Sequence, residues 1–446
     1  MKVFFHSAEI DLNRKNVSPS HEHEVCGSGF KHLTPVSDAL GIAMSNLRWK
    51  CPEVETVAVS MALGQVLAAD VISPVDIPPF DRAAMDGFAV IAEDTYGSTA
   101  TAPVFLKVVG NVRLGEDVNI RLSKGEATSI VTGGQMPQGA NAVVMVEYSK
   151  LREDGTVELS DEVHPAENVA RVGEDVRKGT LVLKKGTRIL PQDLGMLTYL
   201  GMTEVIVARK LRVAVLSTGS ELQEVSAFKQ GKIPDVNRPA LIAAIRELDC
   251  EPVDLGVAAD EFSQIRSKLQ EGVKTADIVL VTAGTSVGPG DIVPKVVDSL
   301  GKPGMVVHGV AMRPSMPTGL AVVDGKPVVS LPGYPVSAYI AFLEFVPPLV
   351  AYMLGSDFLP RPLVKARLTR RITGILGSRT YVRVLVTAGR GGLAVNPVRT
   401  SGAGILSSLV QANGFIIVPE HVEGFEEGQV VDVELFRPVE RGPTVE

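Results

Sequence analysis

The chain of 446 residues exceeds the size at which a single core usually stops growing, about 250–300 residues, so two to four domains are expected. Hydrophobic residues at 45% and charged residues at 21% are ordinary for a folded protein. The net charge of −7 argues against a nucleic-acid partner, which needs a concentrated basic surface, but it leaves room for a local basic pocket and a small anion. Cys26, Cys51 and Cys250 are widely separated, odd in number and part of no Cys/His cluster, which argues against a disulfide framework or a zinc site and fits a reduced, cytoplasmic protein.

Residues 1–32 are polar, hold four of the seven histidines (His6, His21, His23, His32) and lack clear periodicity, so they read as a flexible extension. No charged start followed by an apolar run marks a signal peptide. From Thr34 the apolar residues Val36, Ala39, Leu40, Ile42, Ala43 and Leu47 take helical spacing, with Thr34 or Ser37 as N-cap. Residues 55–209 read as β: short runs such as Val104–Val109, Ala142–Val146 and Glu204–Val207 are punctuated by Gly133-Gly134, Asp154-Gly155 and Lys185-Gly186 turns. Within this stretch, 33–72 with 175–209 is expected to form one domain, including the first helix, and 73–174 a second inserted into it.

Residues 210–356 change character. Apolar runs Val213–Leu216, Pro252–Leu255, Ile278–Val281, Met305–Val307 and Pro327–Ser330 alternate with helix-like segments Pro239–Leu248, Glu261–Gln270, Ile292–Leu300 and Pro335–Met353. That alternation predicts an α/β domain, a parallel sheet with helices on both faces. Its last segment is the most membrane-like of the chain, but Glu344 and Pro347-Pro348 interrupt it, so it reads as a buried helix and no membrane partner is expected. Residues 357–446 return to strands, and a small C-terminal β-barrel is the expectation.

In an open parallel sheet, ligands bind beyond the carboxyl ends of the strands. Three strand-end loops stand out here: Ser217-Thr218-Gly219-Ser220-Glu221, the stretch containing Gly284, Ser286, Gly288 and Asp291, and Leu331-Pro332-Gly333-Tyr334-Pro335. Glycine lets backbone N–H groups approach a ligand, and such turns beside a helix N-terminus bind anions. Three of them on one edge point to a phosphate-bearing ligand. Glu221, Asp235, Asp260 and Asp291 accompany these loops and would either cap helices or hold Mg²⁺, which takes one or two carboxylates plus phosphate oxygens. A further constellation, Phe80-Asp81-Arg82-Ala83-Ala84-Met85-Asp86-Gly87, offers Asp86 as a base or metal ligand, although the pattern alone favours a turn aspartate.

These residues, with Thr132-Gly133-Gly134, Gly173-Glu174-Asp175, Ser217-Thr218-Gly219, Asp235-Val236-Asn237-Arg238, Thr285-Ser286-Val287-Gly288 and Leu331–Ser337, stand in the order found in the molybdopterin molybdenumtransferases. The chain resembles that family, which includes the C-terminal domain of gephyrin, over residues 34–438. The resemblance implies a homodimer of multidomain subunits with β-rich N-terminal lobes, a molybdopterin-binding α/β domain and a C-terminal β-barrel. It implies that molybdate or tungstate is inserted into adenylylated molybdopterin with Mg²⁺ and release of AMP, with the molybdopterin adenylyltransferase as a further possible partner. The acids it assigns to the chemistry are Asp86, Asp175, Asp260 and Asp291, with Mg²⁺ on Asp86, Asp260 and Asp291; Asp193 is a weaker candidate. It assigns the pterin phosphate to Ser217, Thr218, Gly219, Glu221, Gly284, Ser286, Gly288, Pro332, Gly333 and Pro335, and the oxyanion to Arg313, Arg383 and Ser401. It also implies that the site forms between the α/β domain of one subunit and the β-rich lobe of the other.

Two departures bear on the oxyanion. Met316, in Arg313-Pro314-Ser315-Met316-Pro317, stands where the family commonly has a second basic residue, and Ser220 stands where it usually has Asp beside Glu221. They leave open a second reading, a pterin-binding scaffold or sensor without turnover.

Overall fold

The computed structural model describes residues 2–5, 8–11, 33–49, 52–116, 118–224, 230–283, 292–399 and 402–441. Within the N-terminal extension, Lys2–Phe5 and Ala8–Asp11 pair as a short antiparallel ladder, local structure that the sequence pattern does not announce.

The N-terminal β region holds three apolar clusters among the described residues, two of them on the six-stranded sheet. A six-stranded sheet runs in the order 149–151, 156–159, 104–112, 126–130, 87–90, 142–145, packed around Phe88, Val90, Leu106, Val144, Val157 and Leu159. The third cluster gathers Leu67, Ile77, Ile189, Leu197 and Val207 beneath the antiparallel pair Val54–Ala58 and Glu204–Ala208 and the helix Pro191–Tyr199. The chain leaves this third cluster at Ile77 and re-enters at Val176, whose carbonyl accepts the Ile77 N–H at 2.7 Å. Asp193 serves that helix: its carboxylate accepts the Leu190 N–H at 2.8 Å and caps the helix start.

The first helix departs from expectation in two ways. It spans Val36–Asn46 after Pro35, with no side-chain cap: Thr34 instead pairs by backbone with Val310, and the Ser37 hydroxyl bonds Asp38. Its apolar face, Val36, Ala39, Leu40, Ala43 and Met44, packs into the core of the α/β domain rather than into the neighbouring β lobe. Sequence proximity suggested the lobe; the apolar stripe finds its large partners Leu320, Phe345 and Leu349 in the α/β core.

The α/β domain is built on a six-stranded sheet in the order 251–258, 212–218, 278–283, 326–332, 319–323, 304–308. The first four strands are parallel; 319–323 runs antiparallel to both of its neighbours, so 304–308 at the edge again runs with the first four. The sheet is therefore mixed, because Gly319–Val323, which the alternation missed, forms a hairpin with Lys326–Pro332. Asp324 and Gly325 both take positive φ (51° and 78°), the backbone of a two-residue turn that matches strand twist. The central strands are apolar on both faces (Val213, Ala214, Val215, Leu216; Ile278, Val279, Leu280, Val281), as burial beneath helices on both sides requires. Each such Val or Leu contributes about 1.5–3 kcal/mol on full burial. The helix Pro335–Leu354 is core, with 78% of its most apolar window buried.

The C-terminal region closes into a barrel of five strands: 379–389 pairs 392–399 and 414–418, and the ring continues through 363–368 and 430–435. Met312-Arg313, leaving the α/β domain, adds to this barrel beside Arg379-Thr380. Arg379 and Tyr381 reach across to Glu344 of the long helix, with Arg379 Nη1 at 3.0 Å from Glu344 Oε1 and the Tyr381 hydroxyl donating to the other oxygen. This buried network locks the barrel to the α/β domain.

Candidate functional site

At the carboxyl ends of the parallel strands, hydrogen bonds join motifs that lie far apart in the chain. Ser217 is fully buried, and its Oγ accepts the Thr282 hydroxyl at 3.0 Å, linking two adjacent strand ends. Gly219 is required by its neighbours: a Cβ there would lie 2.9 Å from Leu222 Cγ and 3.0 Å from both Glu221 carboxylate oxygens. The next residue closes a reciprocal pair. Ser220 N–H donates to Asp260 Oδ2 at 3.0 Å, while Asp260 N–H donates to Ser220 Oγ at 3.2 Å. Asp260 is thus a loop-to-loop clasp and not a helix cap, since the following helix begins after Glu261 with no side-chain cap. Ser220, a departure by sequence, makes that clasp.

Asp235 has a structural task. It is buried, and its Oδ2 accepts Arg238 Nε at 3.0 Å. Arg238 also bonds Asp254 and Glu224, so three carboxylates surround one guanidinium. This clamp sets the helix Asn237–Glu247, and Asn237 Nδ2 then donates to the Gly333 carbonyl at 2.7 Å. The Pro332–Pro335 turn, with Pro332 buried and Gly333 exposed, is held in this way at the mouth of the strand ends. Asn237 was visible only as part of a motif; its role as the strut for this turn needed the fold.

The same turn meets the barrel. Val336 N–H, in the first turn of the long helix, donates to the Ala403 carbonyl at 3.0 Å, and a Cβ on Gly404 would lie 3.2 Å from the Tyr334 ring. Beside this contact the barrel strand Arg379–Gly389 carries Arg383, 1% exposed, with Arg399 directly opposite on the next strand. Burial first, and the positive charge of Arg399 second, hold the Arg383 guanidinium below its ordinary pKa. Arg313 lies beside Thr380, three residues before Arg383 on that strand, with its Nε buried and without a hydrogen-bond partner among the described residues. Met316 is half-buried, and its carbonyl accepts the Val310 N–H, so this turn carries the single charge of Arg313.

In the N-terminal region three motifs converge. The pair Arg82-Ala83 lies against Val169-Ala170, Gly133 N–H donates to Ala83 carbonyl at 2.8 Å, and Asp81 Oδ1 accepts the Val172 N–H at 2.7 Å. Asp86 sits in the turn before the strand Gly87–Val90. Its Oδ1 accepts both the N–H and the hydroxyl of Thr132, at 2.6 and 2.8 Å. Those bonds, the backbone one first, hold its carboxyl below the usual carboxylate range, and Oδ2 has no hydrogen bond among the described residues. Gly87 permits the approach of the neighbouring strand, since a Cβ would meet the Val144 carbonyl oxygen at 1.9 Å. Asp175 is exposed and anchored by its backbone to Ile77.

Ser217, Thr218, Gly219, Glu221, Asp260 and the Pro332–Pro335 turn therefore share one edge, with Arg383 on the facing barrel. Asp86 and Asp175 do not join them: none of their hydrogen bonds or ion pairs among the described residues reaches the α/β loops. Gly284, Ser286, Gly288, Asp291 and Ser401 lie outside the described residues. No group of three acids, histidines or cysteines able to hold a metal occurs among the described residues, so Asp86 and Asp260 are not assembled within one chain. A cavity of about 240 Å³ lined by Arg188, Glu247, Pro347 and Asp357 includes none of these groups.

Comparison with known proteins accounts for nearly all of this architecture. Residues 34–201 match the MoeA N-terminal region (domains I and II), 214–351 the probable molybdopterin binding domain, and 365–436 the MoeA C-terminal region (domain IV). A molybdopterin biosynthesis protein of Methanocaldococcus jannaschii is 36% identical over 92% of this chain and 99% of its own length. The molybdopterin molybdenumtransferase of Haemophilus influenzae is 32% identical over 86% of this chain and 94% of its own. The crystal structure of a molybdopterin biosynthesis MoeA protein from Pyrococcus horikoshii superposes with a TM-score of 0.79 at 34% identity, covering 91% of this chain and all of that one. On these grounds the chain belongs to the MoeA family of molybdopterin molybdenumtransferases.

Proposed function

We propose that the protein inserts molybdate or tungstate into adenylylated molybdopterin and releases AMP, the last step in making the molybdenum cofactor. The observation that carries this reading is the shared edge: pterin-phosphate loops of the α/β sheet meet the barrel face that holds the buried Arg383. Cleavage of a phosphoanhydride depends mainly on positioning and charge stabilisation, which fixed loops and buried cations can supply. Ser217, Thr218 and Gly219 hold one phosphate edge, and the Pro332–Pro335 turn, propped by Asn237, holds the other with the N-terminal end of the long helix behind it. Arg383 and Arg313 take the incoming oxyanion, and Ser401 is the further residue the family pattern assigns to it.

Mg²⁺ fits the donor chemistry. Asp86 and Asp260 each present a carboxylate with one oxygen engaged by a local donor and the other open, the hard-oxygen set this ion takes. Asp86, Asp260 and Asp291 would hold it, with Asp175 nearby in the lobe to orient water, and the bound ion would neutralise charge on the phosphoanhydride. A homodimer would bring Asp86 to the α/β loops of the partner subunit. Exposed apolar side chains on the N-terminal region, among them Val54 (61%), Met61 (72%), Ile72 (57%) and Ile206 (46%), support such an association. The adenylyltransferase that makes the substrate would be a transient partner. A reducing, cytoplasmic setting suits the buried free thiol of Cys250.

The test is direct. Purified full-length protein with adenylylated molybdopterin, Mg²⁺ and molybdate should release AMP in a molybdate-dependent way. Tight nucleotide-pterin binding with no AMP release would replace this reading by the scaffold one, for which the uncharged Met316 is the supporting feature.

A further inference from the structure

The barrel strand Arg379–Gly389 alternates cleanly. Val382, Val384 and Val386 point into the barrel core, while Arg379 and Tyr381 point outward to Glu344 of the α/β domain. Arg383 is the next residue on the outward face. Its cross-strand partner is Arg399, and directly opposed residues of an antiparallel pair lie on the same face with Cβ atoms about 4.5–5.5 Å apart. The register slips by one residue just beyond this pair: Val384 pairs Pro397 and Val398 is left over. Bulges of this kind re-aim side chains and are frequent beside functional sites.

Two guanidiniums in direct opposition repel, and one of them is removed from water. Arg383 also donates through Nη2 to the Arg399 carbonyl at 3.3 Å, which ties the two residues together. Arg399 has no ion pair among the described residues. Its Nε lies 3.4 Å from where a Gly402 Cβ would be, so its side chain lies beside the 402–404 turn that docks on Tyr334 and Val336. The pair is thus aimed at the seam between the barrel and the pterin-phosphate turn. Across the seam, Met316 contributes no charge.

We infer that Arg399 is the second cation of an anion site formed with Arg383, and that it makes this site selective for doubly over singly charged tetrahedral oxyanions. The inference rests on the proposed oxyanion reading and adds a residue and a selectivity rule to it. Two adjacent positive charges, one buried and one at the surface, attract a dianion more strongly than a monoanion. Molybdate and perrhenate are suitable probes, being tetrahedral and of similar size but differing by one charge.

The experiment is calorimetric titration of the full-length protein with molybdate and with perrhenate, for wild type, Arg399→Ala, Arg399→Lys and Arg383→Ala. Wild type should prefer molybdate. Arg399→Ala should lose at least about tenfold in molybdate affinity, with perrhenate changed far less, and Arg399→Lys should recover part of the loss. Arg383→Ala should weaken both anions. Thermal unfolding of Arg399→Ala without anion should match wild type, which separates anion binding from a structural role. Wild-type molybdate affinity in Arg399→Ala, with Arg383→Ala impaired, overturns the inference and leaves the oxyanion reading standing. Equal loss of both anions overturns the selectivity rule. Failure of wild type to bind either anion overturns both.

Discussion

The α/β domain and the barrel each bury an arginine, and they treat it in opposite ways. Arg238 is surrounded by Asp235, Asp254 and Glu224, and burial, which would lower its pKa, is outweighed by those bonds so that the net shift is upward. Arg383 faces Arg399 instead, and its pKa is pushed down. Even within one barrel strand the contrast holds: Arg379, four residues before Arg383, is met by Glu344 and Glu420. A guanidinium enclosed by carboxylates organises the fold. One set opposite a second guanidinium stands where the proposed oxyanion would bind.

The largest effect should come from breaking the enclosed arginine. Arg238→Ala strands the buried Asp235 carboxylate and should cost about 3–5 kcal/mol in urea unfolding, releasing the Asn237 strut as well. Arg383→Met should differ. Without anion its cost should be far smaller, about 1 kcal/mol for the lost bond to the Arg399 carbonyl; added molybdate should raise the Tm of wild type but not of the variant. A loss of stability like that of Arg238→Ala would dissolve the comparison.

Asp86→Asn leaves an oxygen to accept the Thr132 bonds, so the fold should hold while molybdate-dependent AMP release falls by about 100-fold or more. Ser220→Ala removes the acceptor for Asp260 N–H, and a stability loss of about 1 kcal/mol should be measured. The smallest effect concerns pH. The depressed pKa of Asp86 means its stabilising bonds are fully present above the unfolded-state value and are lost as pH falls through the lower folded value. Thr132→Val deletes the weaker of the two contributions, so the Asp86 titration followed by NMR, and the acid limb of activity, should both move to higher pH.

Much of this was legible from pattern. Buried parallel strands read as continuous apolar runs because both faces are covered, and the C-terminal return to short β runs was enough to suggest a barrel. The strand Gly319–Val323 shows the limit: only Pro327–Ser330 was assigned there, and the partner strand just before it was left out, so the hairpin went unread. Site chemistry was legible as motif order, which placed Ser217–Glu221, Asp260 and Pro332–Pro335 on one edge. The roles within it were not. Asp235, Asp260 and Asp193 are all acids near helix starts, and only their partners separate an ion-pair clamp, a loop clasp and a helix cap.

Local sequence, then, determined most of the elements, the family and the strand-end loops of the candidate site, since periodicity and turn chemistry act over a few residues. Tertiary structure alone decided that the first helix belongs to the α/β core, that Ser220 completes a clasp with Asp260, and that Arg399 stands opposite Arg383. Each depends on register or on contacts between segments tens to hundreds of residues apart, and a shift of one position in a strand would turn the same arginine to the other face.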